Sequence, residues 1–159
     1  MKNTGTLKVT LPDDTSVLLD RTFDAPRHLV WKAMTEPELV KKWYGPRGYS
    51  LTVCEIDLRV GGRWRYMVRG PGGPPDMGMS GEYRELSAPD RLVSTEAFDD
   101  FPGKALVTVT LVETNGKTRL NSHVRSPSKE VRDAVIASGM EHGAAETYDR
   151  LNELLPSLM

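Results

Sequence analysis

The last long segment of the chain, residues 126–155, carries an apolar stripe that fits an α-helix. From Met140 onward, successive members of the stripe are four, four, three and four residues apart. Such spacing places side chains on one face of a helix, and an apolar helix face must be buried against another element. The segment therefore predicts a C-terminal helix that covers a sheet. The stripe consists of Met140, Ala144, Tyr148, Leu151 and Leu155.

This helix is predicted to break near Gly139. Val131 and Val135 fall almost opposite to Met140 when each residue turns the helix by roughly 100°. A straight helix could not bury both faces against one sheet. Ser138 and Gly139 lie between the two stripes, so we expect a kink there or a separate short helix before it.

The middle of the chain, residues 51–124, predicts short antiparallel strands. Residues 63–69 alternate basic with apolar side chains, which indicates a strand with one wet and one buried face. Asn115-Gly116 predicts a two-residue hairpin turn. Residues 70–75 are rich in glycine and proline, and they predict a mobile loop.

The order of these segments defines the expected fold class. Residues 16–23 predict an earlier strand, and two short helices follow it in residues 27–34 and 38–43. The predicted fold is α+β, with an antiparallel sheet of about six or seven strands and one long helix. We expect residues 1–159 to form a single domain, with residues 1–15 as an extra N-terminal strand or arm.

Composition and charge narrow the class of protein. The chain has 159 residues, of which 38% are hydrophobic and 27% are charged, and its formal net charge is -1. These values describe an ordinary globular domain, and they argue against nucleic acid as a partner because proteins that hold nucleic acid are markedly basic. No run of ~18 apolar residues predicts a membrane span. The single cysteine, Cys54, fits a reducing compartment, so a cytoplasmic location is predicted.

Four ordered blocks of residues resemble a known family. They are residues 21–26 (RTFDAP) with Val30-Trp31 and residues 43–46 (WYGP); residues 57–62 (DLRVGG) with Trp64; residues 81–83 (GEY) with residues 89–92 (PDRL); and Gly139-Met140, Gly143 and Arg150-Leu151. Together they are similar to the family related to the activator of the ninety-kilodalton heat-shock protein ATPase. That family belongs to the SRPBCC superfamily, which also contains the START domains.

The resemblance implies a helix-grip, START-like fold with a hydrophobic cavity between the curved sheet and the C-terminal helix. Family members usually carry Trp directly after the helix glycine, whereas Ala144 follows Gly143 here, so we expect a wider or differently shaped cavity. In the eukaryotic activator, ATPase stimulation depends on a separate N-terminal domain. No such domain precedes residue 16 in this sequence, so a chaperone is not the partner that we expect. The family often forms dimers, and a homodimer is a possible state.

Aromatic and methionine side chains are predicted to line this cavity. Strand periodicity places Trp64, Tyr66 and Tyr83 on the concave face, and Met79 has the same parity as Tyr83. Such side chains suit an adaptable apolar pocket, although the alternative that they simply fill a core is equally open. The predicted ligand-binding residues are Trp64, Tyr66, Met79, Tyr83, Met140, Tyr148 and Leu151, with Trp43 and Tyr44 at the pocket entrance.

Three functions are compatible with these patterns. The favoured one is binding of an apolar or amphipathic small molecule, and the first alternative is a protein-interaction or stress-response module. A cyclase- or hydrolase-type enzyme is the other alternative, and its acid or base would come from Glu96 or His28. No catalytic residue is assigned. The histidines His28, His123 and His142 lack the spacing of metal ligands, so neither a metal nor a cofactor is predicted.

Overall fold

Eight antiparallel strands form one curved sheet in the computed structural model of the chain, which describes residues 5–101 and 103–159. The strands are β1 (Lys8–Thr10), β2 (Ser16–Phe23), β3 (Ser50–Ile56), β4 (Arg63–Gly70), β5 (Gly73–Ser87), β6 (Arg91–Phe98), β7 (Ala105–Thr114) and β8 (Lys117–Arg125). The helices are α1 (Arg27–Thr35), α2 (Pro37–Trp43), α3 (Lys129–Ala137) and α4 (Met140–Leu154), followed by a 3₁₀ turn at Leu155–Leu158.

The strand order across the sheet is β1-β2-β8-β7-β6-β5-β4-β3. All neighbours are consecutive in the chain except β2 and β8, which pair with Val17 opposite Val124. This pairing joins the first and last hairpins and leaves β1 and β3 at the two edges. Inward-facing residues of neighbouring strands form continuous rows across the concave face. One such row is Leu92, Val109, Ser122 and Leu19.

Three apolar clusters fill the space between the concave face and the helices. The first packs α1 and the end of α4 against β2, β7 and β8, with Phe23 and Leu151 fully buried. The second packs Val40 of α2 against β3, β4, β5 and β6. The third packs the start of α4 against β1 and β2 around Ala145. The helices therefore cover different parts of the sheet, and Tyr44 contacts both the first and the second cluster.

Gly81 of β5 occupies a position with no room for a side chain. A Cβ atom there would collide with the backbone oxygen of Thr95 on β6 and with the indole of Trp64 on β4. Trp64 lies directly opposite Gly81 in the sheet. The missing side chain therefore allows the strands on both sides to close in around β5.

The predicted α+β class and the predicted break in the C-terminal helix are confirmed. Gly139 separates α3 from α4 with a φ of 87°, a left-handed backbone conformation that glycine adopts without strain. The helical segment begins later than residue 126, because the Ser128 hydroxyl accepts a hydrogen bond from the Val131 amide and caps α3.

The sheet has eight strands, of which β1 (residues 8–10) lies in the segment expected as an extra N-terminal strand or arm and pairs with β2. The loop predicted at residues 70–75 is shorter than expected, because only Pro71 and Gly72 form a turn, Gly70 pairs with Gly73, and β5 runs through Pro74 and Pro75. The predicted Asn115-Gly116 hairpin is confirmed, with both residues at positive φ.

Candidate ligand-binding site

Four of the predicted binding residues lie together on the concave face of β4 and β5. Trp64, Tyr66, Met79 and Tyr83 are all buried members of the second cluster. The ring centroids of Trp64 and Tyr66 are 4.8 Å apart, and Tyr66 lies directly opposite Met79. The helix that covers them is α2, through Val40, and not α4. These four residues therefore form one packed wall, which we call the aromatic wall.

The two aromatic residues predicted at the entrance occupy different environments. Trp43 is 4% exposed, and its indole Nε1 donates to the carbonyl oxygen of Ala33 at 2.9 Å, so it lies deeper than an entrance residue. The half-buried Tyr44 meets Tyr66 edge-on, with 5.0 Å between ring centroids. Its hydroxyl donates to the sulfur of Met79 at 3.3 Å. Tyr44 thus reaches from the end of α2 into the interior.

The helix residues of the predicted set face another part of the sheet. Leu151 is fully buried in the first cluster, whereas Met140 and Ala144 pack against the third. Tyr148 contacts both clusters, and its ring meets Phe23 edge-on with 5.9 Å between centroids. The structure therefore divides the predicted residues between a wall covered by α2 and a wall covered by α4. Ala144, where the resemblance described above led us to expect Trp, packs against the third cluster.

Glu96 lies between these walls, on β6. It has the same parity as Leu92 and Ser94, both buried, and it is opposite Ala105 of β7. Among the described residues it forms no hydrogen bond or ion pair, and both carboxylate oxygens keep surface that water can reach. Burial nevertheless raises the pKa of Glu96 to about 7, because the charged form is poorly solvated there. Glu96 is therefore a half-buried acid without a partner among the described residues.

Three tyrosine hydroxyls from different elements lie close enough to this carboxyl for its charge to act on them. Burial raises the pKa of Tyr44 and of Tyr66 well above the usual value, and the charge of Glu96 adds to the rise in both. Burial also raises the pKa of Tyr148 to about 12, with Glu96 contributing and Ser122 acting in the opposite direction. The register of the sheet supports this placement for Tyr44, because its hydroxyl donates to Met79, and Met79 lies opposite Phe98, two residues beyond Glu96 on the same face of β6. We refer to Glu96, Tyr44, Tyr66 and Tyr148 as the Glu96 cluster.

Arginine side chains hold α4 in place over the concave face. Arg150 of α4 donates through Nη1 to the carbonyl oxygen of Gly45 at 2.8 Å. At the preceding position of the helix, Asp149 pairs with the buried Arg21 of β2 at 3.3 Å. These contacts fix the positions from which Tyr44 and Tyr148 reach the interior. Arg150 also donates to the carbonyl oxygens of Lys42, Tyr44, Pro46 and Tyr49.

Two surface hollows lie away from the Glu96 cluster. One, of about 440 Å³, is open to solvent at the β3–β4 turn and is lined by residues from Glu55 to Arg63. The other, of about 50 Å³, is lined by residues that include Arg63, Glu82 and Lys104. Neither is lined by any predicted binding residue.

The remaining candidate groups do not assemble into a second site. His28, the other acid or base considered from the sequence, is exposed on α1. Within residues 5–101 and 103–159, no three His, Cys, Asp or Glu side chains are grouped so that they could hold a metal ion. No helix in these same ranges is long and apolar enough to cross a membrane.

The curved antiparallel sheet closed by a C-terminal helix is the helix-grip architecture. The family described as "Activator of Hsp90 ATPase homolog 1-like protein" matches residues 24–156. The chain belongs to this family. A comparison with curated proteins finds no match.

Solved structures share the fold over nearly the whole chain. A protein from Rhodobacter sphaeroides is 32% identical with a TM-score of 0.90, and the match covers 96% of this chain and 99% of that one. A protein from Nitrosomonas europaea is 28% identical with a TM-score of 0.83, covering 92% and 97%. An HSP90 activator from Plasmodium falciparum, 22% identical with a TM-score of 0.56 over 70% and 72%, shares the fold.

Sequence reasoning named Glu96 without a reason to place it in the interior. The parity of β6 alone gave no signal, because Leu92 and Val93 are both apolar and have opposite parity. The pairing with β7 decides the face, since Ser94 lies opposite the buried Val107 and Glu96 opposite Ala105. Arg21 and Arg150 gave no signal either. Their roles depend on backbone and carboxylate partners more than 100 residues away along the chain.

Proposed function

We propose that the protein binds a small amphipathic molecule in an internal cavity next to the Glu96 cluster, between the concave face and α4. The observation that carries this proposal is that the Glu96 carboxylate combines burial, the lack of a partner and access to water. Glu96 is half-buried and unpaired, and its oxygens keep surface that water can reach, although burial raises its pKa to about 7. Tyr44 and Tyr148 share this combination, because both are half-buried and burial raises their pKa values. Groups with both properties are expected to face an enclosed space.

The surroundings of the cluster suit the apolar part of such a molecule. The wall next to Tyr66 consists of the packed aromatic and sulfur side chains of the second cluster. Beyond Glu96 on the same face of β6, Phe98 is 38% exposed and lies opposite Met79. Met77, two residues before Met79, is 52% exposed. An apolar rim therefore leads from the surface toward Glu96, and we expect a ligand to enter there.

Ligand binding is preferred to the alternative functions on specific grounds. The Glu96 cluster lies in the interior, where a chaperone or other protein surface could not reach it. A cyclase or hydrolase would need further acid–base groups, and no ionisable side chain of the described residues hydrogen-bonds to Glu96. The likeness to the Plasmodium falciparum activator is one of fold. A cytoplasmic location stays a prediction.

Titration with the fluorescent apolar probe N-phenyl-1-naphthylamine tests this function. We expect saturable binding with a blue-shifted emission, because the probe enters an apolar enclosed site. Tyr148→Trp should weaken binding, since the larger ring occupies space beside Glu96. Val112→Trp is the matched control, because Val112 is 55% exposed on the outer face of β7 and gains the same ring there.

The outcome of this titration decides between an occupied cavity and a filled core. Weaker binding by Tyr148→Trp, with wild-type affinity for Val112→Trp, would support the cavity. Absence of saturable binding to the wild-type protein, together with no small molecule retained in native mass spectrometry, would show that the side chains simply fill a core. Equal affinities of Tyr148→Trp and the wild type would place the probe elsewhere.

A further inference from the structure

The charge balance around Glu96 restricts the polar head group that the cavity can accept. Among the described residues no arginine, lysine or histidine pairs with this carboxyl. A buried carboxylate without a counter-ion is unfavourable, and a ligand that supplies the counter-ion relieves that cost. We infer that the ligand is an amphipathic molecule with a protonated amine, whose ammonium group donates to Glu96 while its apolar part lies along the aromatic wall. This inference rests on the proposed function.

The tyrosines of the cluster complement an ammonium group. An ammonium carries three N–H donors, of which the Glu96 carboxylate can accept one or two. The Tyr44 hydroxyl donates its proton to the Met79 sulfur, so its oxygen lone pairs are directed to other donors. The hydroxyl oxygens of Tyr66 and Tyr148, on which the charge of Glu96 also acts, are further acceptors. Hydroxyl oxygens thus supply the remaining contacts of the ammonium.

An anionic head group fits the same place poorly. A ligand carboxylate would meet the negative charge of Glu96 in a medium where like charges repel strongly. Arg21 is an arginine of the concave face, but it is committed to Asp149 at 3.3 Å and lies over the ring of Phe23. A fatty-acid type of ligand would therefore need Glu96 to be protonated.

Because Glu96 titrates, the binding of an amine at this site should depend on pH. The titratable groups that face it are the hydroxyls of Tyr44 from the end of α2, Tyr66 from β4 and Tyr148 from α4. β5 adds the hydroxyl of Tyr83, which lies opposite Ser94 and whose pKa is also raised by burial. The other positions of β5 and β7 on this face are apolar or glycine, including Met79 and Ala105. Burial raises the pKa of Glu96 to about 7, so the carboxylate form dominates at pH 8 and the neutral form at pH 6. Amine binding should strengthen between these values.

Displacement of N-phenyl-1-naphthylamine by three eight-carbon probes, octylamine, octanol and octanoate, tests this inference. At pH 8 we expect octylamine to bind the wild type roughly tenfold or more tightly than octanol, because a hydrogen bond between charged groups is much stronger than a neutral one. Octanoate should be the weakest of the three. Glu96→Gln should abolish the preference for octylamine and leave octanol unchanged. Glu55→Gln, at an exposed carboxylate of β3 in the open hollow, is the control.

Calorimetry in buffers of different ionisation enthalpy adds an independent readout. Binding of octylamine at pH 7 should release a fraction of a proton, because the cation stabilises the carboxylate form of Glu96. Octanol should release none, and Glu96→Gln should remove the release seen with octylamine.

The possible outcomes separate the two proposals. Equal affinity of octylamine and octanol for the wild type, unchanged in Glu96→Gln, would overturn the amine inference and leave the cavity standing. A loss of amine preference in Glu55→Gln instead of Glu96→Gln would place the amine in the open hollow and also overturn it. Failure of all three probes and of the fluorescent probe to bind would overturn the proposed function itself.

Discussion

The Nη1 atom of Arg150 lies 2.8 Å from the carbonyl oxygen of Gly45, so α4 is hydrogen-bonded directly to the backbone that follows α2. The same guanidinium reaches four further carbonyl oxygens between Lys42 and Tyr49. One side chain of the covering helix therefore positions the segment that carries Tyr44. A group that satisfies several backbone acceptors at once is expected to matter for stability.

Arg150→Met is expected to lower the free energy of unfolding by about 1–3 kcal/mol, because the carbonyl oxygens lose a charged donor while the aliphatic bulk is kept. Arg47→Met is the matched control. Arg47 pairs with Glu153 across the same contact between loop and helix, but both side chains are about half exposed or more, and surface pairs contribute little. Urea denaturation of the three proteins measures the difference. Equal losses in both variants would refute the special role of Arg150.

Glu96 should make stability fall as the pH rises from about 5 to about 8. The unfolded chain releases the proton near pH 4.5 and the folded protein near pH 7, so the folded state binds more protons between these values. The linkage between proton binding and folding then lowers the free energy of unfolding by about 2–3 kcal/mol from pH 5 to pH 8. Glu96→Gln should lack this loss, so the gap between variant and wild type widens in favour of the variant at pH 8. Urea titrations at pH 5 and pH 8 measure it; parallel curves would show that Glu96 is well solvated.

Gly81→Ala is expected to destabilise the fold by about 1–3 kcal/mol or more, because the added methyl group collides with a backbone oxygen that cannot move independently of β6. Gly72→Ala is the control, since a Cβ there meets no atom within 4 Å and its φ is not positive. Thermal unfolding followed by circular dichroism compares the two. If Gly81→Ala left the thermal stability unchanged, the neighbouring strands could move apart at little cost.

Gly139→Ala should cost about 1 kcal/mol, because an alanine is strained at the φ of 87° between α3 and α4. No atom lies within 4 Å of an added Cβ, so the effect is one of backbone conformation alone. Gly139→Asn should cost less, since asparagine tolerates left-handed backbone better. Chemical denaturation of both variants provides the measurement, and the reverse ranking would contradict this explanation.

The architecture was largely predictable because it depends on local patterns. The period of two in residues 63–69 identified β4, and the change of phase around Gly139 identified the break between α3 and α4. The two-residue turn between Gly70 and Gly73 was missed because proline normally argues against a strand. β5 nevertheless contains prolines at its start, since it begins at an exposed hairpin where prolines are tolerated.

The interior was less predictable because it depends on which helix covers which strands. Periodicity correctly gave an inward orientation to Trp64 and Tyr66, but it could not show that α2, not α4, would cover them. Tyr44 was expected at an entrance, and its inward direction follows from the helical corner formed by α1 and α2. Whether the predicted residues bind a ligand stays a prediction that the probe titrations address.

The bonds that close the interior connect parts of the chain that are synthesised far apart in time. Arg150 and Gly45 are separated by 105 residues, and Arg21 and Asp149 by 128. Contacts of such long range carry a high entropy of loop closure and slow the folding reaction. During translation, Glu96 and the apolar side chains of the first and third clusters are present before α4 emerges to cover them. A nascent chain at this stage exposes apolar surface, so the final helix also sets how long the protein is vulnerable to aggregation.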